Sequence, residues 1–184
     1  LDFSIKNKSP LIFDNNEENS SIHFFSKSIF NINLNDTFDG KLSLNVQQTS
    51  NDDYLKNYKL KSPLIVSNNN LNSKISFDLY SSDLQAELVM EAYENLSLLD
   101  SDRYEYIYPS INVVKNFADF EYGDLNLSSS ILNKEYQTNI KESTITNDLS
   151  YRSYNKINSI GLLSNYELLI KNFNSKSTNS KKYT

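Results

Sequence analysis

The chain has 184 residues, a net charge of -5 and a sequence pI of about 4.9, so it carries no basic footprint for nucleic acid. It has no cysteine and one histidine, which excludes a disulfide framework, a thiolate metal site and a histidine-cluster metal centre. No apolar run is long enough for a membrane helix, and no secretory leader opens the chain; a β-barrel needs neither feature, because its strands need only alternate.

The first residue is Leu1 rather than Met, and a piece of a longer protein is expected. Hydrophobic residues make up only 38%, which suits strands with one polar face. Glycine and proline number three each, so Asn, Asp and Ser must form most turns through local side-chain bonds.

In chain order, Leu1 to Phe13 reads as two short strand pieces split by Ser9 and Pro10. Asp14 to Ser20 is a polar loop without the glycine or ligand spacing of a cation site. Ser21 to Leu34 becomes a clean alternation at Phe30, Ile32 and Leu34. Asn35 to Gly40 is a hairpin connection with Asp39 and Gly40 supplying the turn. Lys41 to Gln48 alternates again, with Leu42, Leu44 and Val46 on one side. Pro63 limits the pairing of Leu64 to Val66.

Leu71 to Tyr80 is the clearest segment. Leu71, Ser73, Ile75, Phe77 and Leu79 take one face; Asn72, Lys74, Ser76, Asp78 and Tyr80 take the other. Leu84 to Leu96 admits two readings. Leu84, Ala86, Leu88, Met90 and Ala92 alternate as in a strand, with Val89 out of place. Ala86, Val89, Met90, Tyr93 and Leu96 also fit a helical stripe that Asp83 could cap. The alternating neighbours favour the strand.

Asp102 to Pro109 places Tyr104, Tyr106 and Tyr108 on one face, and the apolar phase shifts after Pro109, which predicts a bulge. Asn116 to Asp124 is expected to be a loop. Leu125, Leu127 and Ile131 define a strand, Asn133 to Ser143 a long polar connection, and Ile145, Leu149 and Tyr151 a further strand. Asn155 and Lys156 turn the chain into a last strand from Ile160 to Lys171, followed by a polar tail from Asn172 to Thr184. The result is an all-β antiparallel meander of eight or nine strands, without repeat or domain boundary over residues 1–184, that closes as a barrel or as a sandwich.

Catalysis finds little to work with. His23 lies in an alternating apolar segment and reads as a strand histidine. Glu87 and Glu91 share a face, as acids on any wet strand do, and no glycine-rich phosphate loop or nucleophile elbow occurs. No catalytic residue, metal ligand or cofactor site is assigned. The aromatic residues say more: with 13 Tyr, 10 Phe and no Trp, the row Tyr104, Tyr106 and Tyr108 suits a membrane–water interface. In a barrel, Glu87, Glu91, Arg103, Glu105, Asp148, Arg152, Glu167 and Lys171 would face the lumen. Arg103 and Arg152 would either meet phosphate or bridge to a neighbouring strand.

Several stretches, in order, resemble the LptD (organic solvent tolerance) family of outer-membrane lipopolysaccharide-assembly proteins. They are Asp53 to Tyr58, Ser101 to Pro109, Thr146 to Ser153 and Lys171 to Ser175, with Asp102 to Pro109 the most specific. The resemblance spans roughly Asp36 to Tyr183. It implies a segment from the middle of a transmembrane outer-membrane β-barrel of a Gram-negative bacterium. Such a barrel places lipopolysaccharide in the outer leaflet, is plugged by an LptE-like lipoprotein, and is fed by periplasmic lipopolysaccharide-bridge proteins. The family's jelly-roll domain and the disulfide cysteines of some members are absent from this chain. The expectation is therefore a non-enzymatic transport barrel. The alternative is a soluble secreted β-sandwich binding carbohydrate or a protein partner.

Overall fold

The computed structural model describes residues 2–6, 21–58, 62–98, 102–120, 122–137 and 139–178. In chain order the elements are β1 (Asp2–Lys6), β2 (Ser21–Asn33), β3 (Asp39–Thr49), a short helix α1 (Tyr54–Tyr58), β4 (Asn70–Tyr80), β5 (Leu84–Asn95), β6 (Tyr104–Phe120), β7 (Gly123–Tyr136), β8 (Ile140–Ser153), β9 (Lys156–Ile157), β10 (Leu163–Ser164) and β11 (Glu167–Thr178). Nine strands form one sheet in the order β1-β2-β3-β4-β5-β6-β7-β8-β11, and β9 pairs with β10 in a separate hairpin. Every pairing is antiparallel. Among the described residues the sheet does not close on itself, and β1 and β11 are its edges.

The register turns sequence alternation into two chemically distinct faces. One row runs Leu42, Phe77, Leu88, Ile111, Ile131, Ile145. The neighbouring row, on the opposite face, runs Lys41, Asp78, Glu87, Asn112, Ser130, Thr146. The segment Leu84–Asn95, ambiguous by pattern, is a strand because it hydrogen-bonds along its length to β4 and to β6. Strong helix formers yield here to ladder bonds on both sides. The bulge expected at Pro109 is present. The β6 register slips against β5 between Val89 and Glu91, and against β7 between Ile107 and Ser110. Proline has no N–H to give to either neighbour.

Several boundaries differ from the pattern-based expectation. Asp39 and Gly40 belong to β3, and the turn before them is closed by Asn35, whose Oδ1 accepts from the N–H groups of Thr37 and Phe38 at 2.9 Å each. The expected loop from Asn116 is mostly strand, because β6 continues to Phe120 and β7 starts at Gly123. The expected long connection from Asn133 is mostly strand, because β7 runs to Tyr136 and β8 starts at Ile140, and Tyr54 begins a short helix. The last strand is displaced: Ile160 and Leu162 lie in the β9–β10 hairpin, while β11 runs on through the supposed tail to Thr178. The missed residues at 133–143 and 172–178 are mostly polar on both faces, so alternation could not reveal them, whereas at 116–120 Phe117, Ala118 and Phe120 break the alternation. The strand piece at Leu11 to Phe13 and the loop at Asp14 to Ser20 lie outside the described residues.

Among the described residues, one small dry cluster forms at the end of the sheet where β3 leads to β4. Phe25, Tyr54, Leu55, Leu71 and Leu96 are buried there, with Leu64 and Ile65 against them. His23 is buried beside it, with Nδ1 3.1 Å from the Tyr54 hydroxyl. Elsewhere the sheet is a single layer. The accessible surface is 13784 Å², against about 9,100 Å² for a compact chain of this mass. Among the described residues no second sheet covers the apolar face, so a sandwich interior is not formed.

Gly123 sits where β7 meets the end of β8. A β-carbon there would lie 2.4 Å from the Arg152 carbonyl oxygen and 2.7 Å from the Tyr151 hydroxyl; at Gly40 its nearest neighbours would be 3.4 Å away. Gly123→Ala is therefore expected to cost about 1–3 kcal/mol by overpacking. Gly40→Ala should cost less, and equilibrium chemical unfolding of the two variants measures the difference.

Candidate functional site

The apolar face is exposed across the sheet: Phe30 is 50% accessible, Ile75 52%, Met90 47% and Ile170 51%. The apolar residues do not fill this face evenly. They form a band that crosses the strands obliquely. On β5 the band runs from Leu84 to Ala92, on β7 from Leu125 to Ile131, on β8 from Ile145 to Tyr151, and on β11 it keeps only Leu168 and Ile170. Following hydrogen-bonded partners straight across from Leu88 leads to Ile111, Ile131, Ile145 and then Asn174. On β8 the band's midline lies about three residues below Ile145, or about 10 Å at about 3.4 Å per residue. The drop occurs over three strand spacings of about 4.8 Å, which gives an angle of about 35°.

Polar groups inside and beside the band have partners. Ser129 Oγ donates to Asn147 Oδ1 at 2.7 Å between β7 and β8. Lys115 bends to Asp83 in the turn at 81–83, with Nζ 2.5 Å from Oδ2. The Lys115 ammonium, as hydrogen-bond donor, holds the Asp83 carboxyl below its ordinary range, with the Ser81 hydroxyl adding to the effect. Above the band stand Tyr104, Tyr106 and Tyr108. The first two rings stack at 6.0 Å, and the next pair meets edge-on at 6.3 Å. The Tyr104 hydroxyl donates to Glu94 at 3.1 Å and that of Tyr108 donates to Glu135, so rings lie toward the band and hydroxyls toward carboxylates.

The opposite face carries the candidate charges, joined mainly between strands. Asn112 donates to Glu87 at 3.4 Å and Asn72 to Glu91 at 2.7 Å. Lys134 pairs with Glu105 at 2.9 Å, Lys171 with Asp148 at 3.3 Å, and Arg152 with Glu167 at 3.7 Å. At one end of this face a cavity of about 820 Å³ is lined by Gln47, Asn72, Tyr93, Glu105 and Tyr136, with Arg103 at its rim. Among the described residues no group of His, Asp and Glu is arranged to hold a metal ion.

Arg103, just before β6, is placed differently from the other seven. Its guanidinium makes a two-point contact with Asp52 at 2.5 and 2.9 Å, and its Nε donates to Glu94 at 2.7 Å. The bridge ties the segment after β3 to the β5–β6 end, and Gln47 adds a bond to the Leu64 carbonyl at 2.7 Å. Of the two roles considered for Arg103, the geometry therefore matches the bridging one. Arg152, on β8, bridges to β11 but stays exposed. Asp52, Glu94 and Lys134 were not legible as partners, because nothing local links residues this far apart in sequence.

No helix among the described residues is long and apolar enough to cross a membrane, which leaves crossing by strands untouched. No family model, no curated protein and no solved structure matches the chain.

The Arg103 bridge yields a prediction. Arg103→Ala should free the segment around α1 by about 2 kcal/mol, and Arg103→Lys should restore only part of this, because an ammonium cannot make the two-point contact. Amide hydrogen exchange across residues 50–58 reads the effect. Bonding to Arg103 holds the Asp52 carboxyl below its ordinary value of 3.8. Its contribution is then present above that value and lost as pH falls through the depressed one. Protection at 50–58 should accordingly survive at about pH 5 and fail only in stronger acid.

Proposed function

We propose that this chain is a stretch of the wall of an outer-membrane β-barrel that takes part in placing lipopolysaccharide in the outer leaflet. The observation that carries the membrane part is the exposed apolar band and its obliquity. Strands of membrane barrels tilt about 35–45° from the bilayer normal, so a lipid-facing band lies aslant the hydrogen-bonded rows by the same angle. A sheet packed on a protein layer has no need of such a slant. The strands, 11 to 17 residues long from β3 through β8, exceed the roughly 9–11 residues that a tilted crossing needs. Covering the band with lipid is favourable at about 25 cal/mol per Å².

The transport part rests on the likeness to the LptD family, and one contact favours it. The two stretches of that likeness at Asp53 to Tyr58 and Asp102 to Pro109 are brought side by side by the bond from Arg103 to the adjoining Asp52. In this reading the charged face lines an aqueous interior, open edges join further strands of the wall, an LptE-like lipoprotein fills the lumen, and periplasmic bridge proteins deliver the lipid.

Ile75→Arg and Leu168→Arg each place a charge in the band, at a cost of up to about 2–4 kcal/mol at the bilayer midplane, and should block membrane assembly. Lys74→Arg, on the opposite face, should assemble normally. Heat-modifiable mobility of the membrane fraction distinguishes folded from unfolded barrel, and normal assembly of both arginine variants would refute the face assignment. Depletion of the full-length protein is expected to lower surface lipopolysaccharide while the lipid accumulates inside. An unchanged surface level would remove the transport role and leave the wall.

A further inference from the structure

The apolar band leaves the strands at β8 and β11. On β11 only Leu168 and Ile170 belong to it, about 7 Å of strand, whereas the apolar belt of a membrane barrel is about 25 Å tall. At the observed slant, the rest of the belt falls beyond the start of β11, at the connection 154–166. This connection differs from the turns 34–38 and 81–83 at the same end of the sheet in its length and in carrying Ile157, Ile160, Leu162 and Leu163. It forms the β9–β10 hairpin and exposes Ile160 at 88%, Ile157 at 68% and Leu162 at 64%. Lys156 is its single charge, close to the sheet.

We infer that the β9–β10 hairpin is seated in the bilayer and completes the lipid-facing band beneath β8 and β11. The inference rests on the reading of the chain as a barrel wall. Two observations carry it. The first is continuity. Tyr166, which leads from the hairpin into β11, lies with its ring 6.2 Å from Tyr151 at the lower end of the band, and its N–H donates to Ser153 Oγ at 2.9 Å. The second is backbone satisfaction. In hydrocarbon, peptide groups must find partners within the protein. Here Asn158 Oδ1 accepts from the N–H groups of Ile160 and Leu162 at 3.0 and 2.9 Å. The Asn158 N–H donates to the Leu162 carbonyl at 3.0 Å, and the Gly161 N–H donates to the Asn158 carbonyl at 3.0 Å. An apolar tip in which the amides of Asn158, Ile160, Gly161 and Leu162 are bonded internally is suited to lipid, and the Lys156 stem is long enough to carry its ammonium to the headgroup layer.

These 184 residues hold no cysteine, and with any elsewhere in the full-length protein replaced by serine, single reporters can be placed. Ile160→Cys, Ile75→Cys and Asp36→Cys, each carrying an environment-sensitive fluorophore in the full-length protein, are reconstituted into phosphatidylcholine vesicles. Positions 160 and 75 are expected to show blue-shifted emission, quenching by lipid-borne nitroxide and loss of quenching by aqueous iodide. Position 36 should show iodide quenching only. Lipid quenching at 75 with iodide quenching at 160 overturns the hairpin's place in the membrane and leaves the wall standing. Iodide quenching at both overturns the wall and the hairpin together. Protection of 160 from both quenchers puts protein over the hairpin and likewise overturns the inference.

Discussion

A sheet one layer thick has no interior. Its backbone is satisfied by the ladder between strands, but its apolar side chains can be covered only by something outside the sheet. Most of the chemistry of this protein follows from that constraint. Outward residues such as Phe30, Ile75 and Ile170 are about half accessible, although each is flanked by hydrogen-bonded neighbours on paired strands. The small dry cluster around Phe25, Tyr54 and Leu55 sits at one end and does not underlie the sheet. Stability must come from pairing and from whatever meets the band.

The polar face answers the opposite requirement. Charges that stand on a wall facing water can remain hydrated, and exposed pairs contribute little each, about 0–1 kcal/mol. The pairs Lys171–Asp148 and Arg152–Glu167 are of that kind. Their geometry fixes register more than it adds stability, since each links residues on adjacent strands. Arg103 differs because its guanidinium is mostly covered and meets two carboxylates, so it docks a segment instead of decorating a surface.

The slant of the apolar band connects these features. A belt perpendicular to the bilayer normal must cross tilted strands at the tilt angle, so each strand presents a different portion of its length. In the proposed barrel this would account for the mostly polar strand ends at the top of β7, β8 and β11, and for apolar residues that persist past the strand ends at the bottom of β8 and β11.

The sequence by itself determined the strands with one apolar and one polar face, and the face on which each of their residues lies. It placed Ile75 opposite Lys74 and Leu168 opposite Glu167, and it placed the bulge at Pro109. Alternation with a period of two is a local property, readable within a few residues. Only the tertiary structure decided the strand reading of Leu84–Asn95, the lengths of β6, β7 and β11, the helix at Tyr54–Tyr58, the partners of Arg103 and the slant of the band. Those depend on ladder bonds and contacts between residues far apart in the chain. Such contacts form only when the register is set, and where both faces of a strand are polar no local pattern remains to announce them.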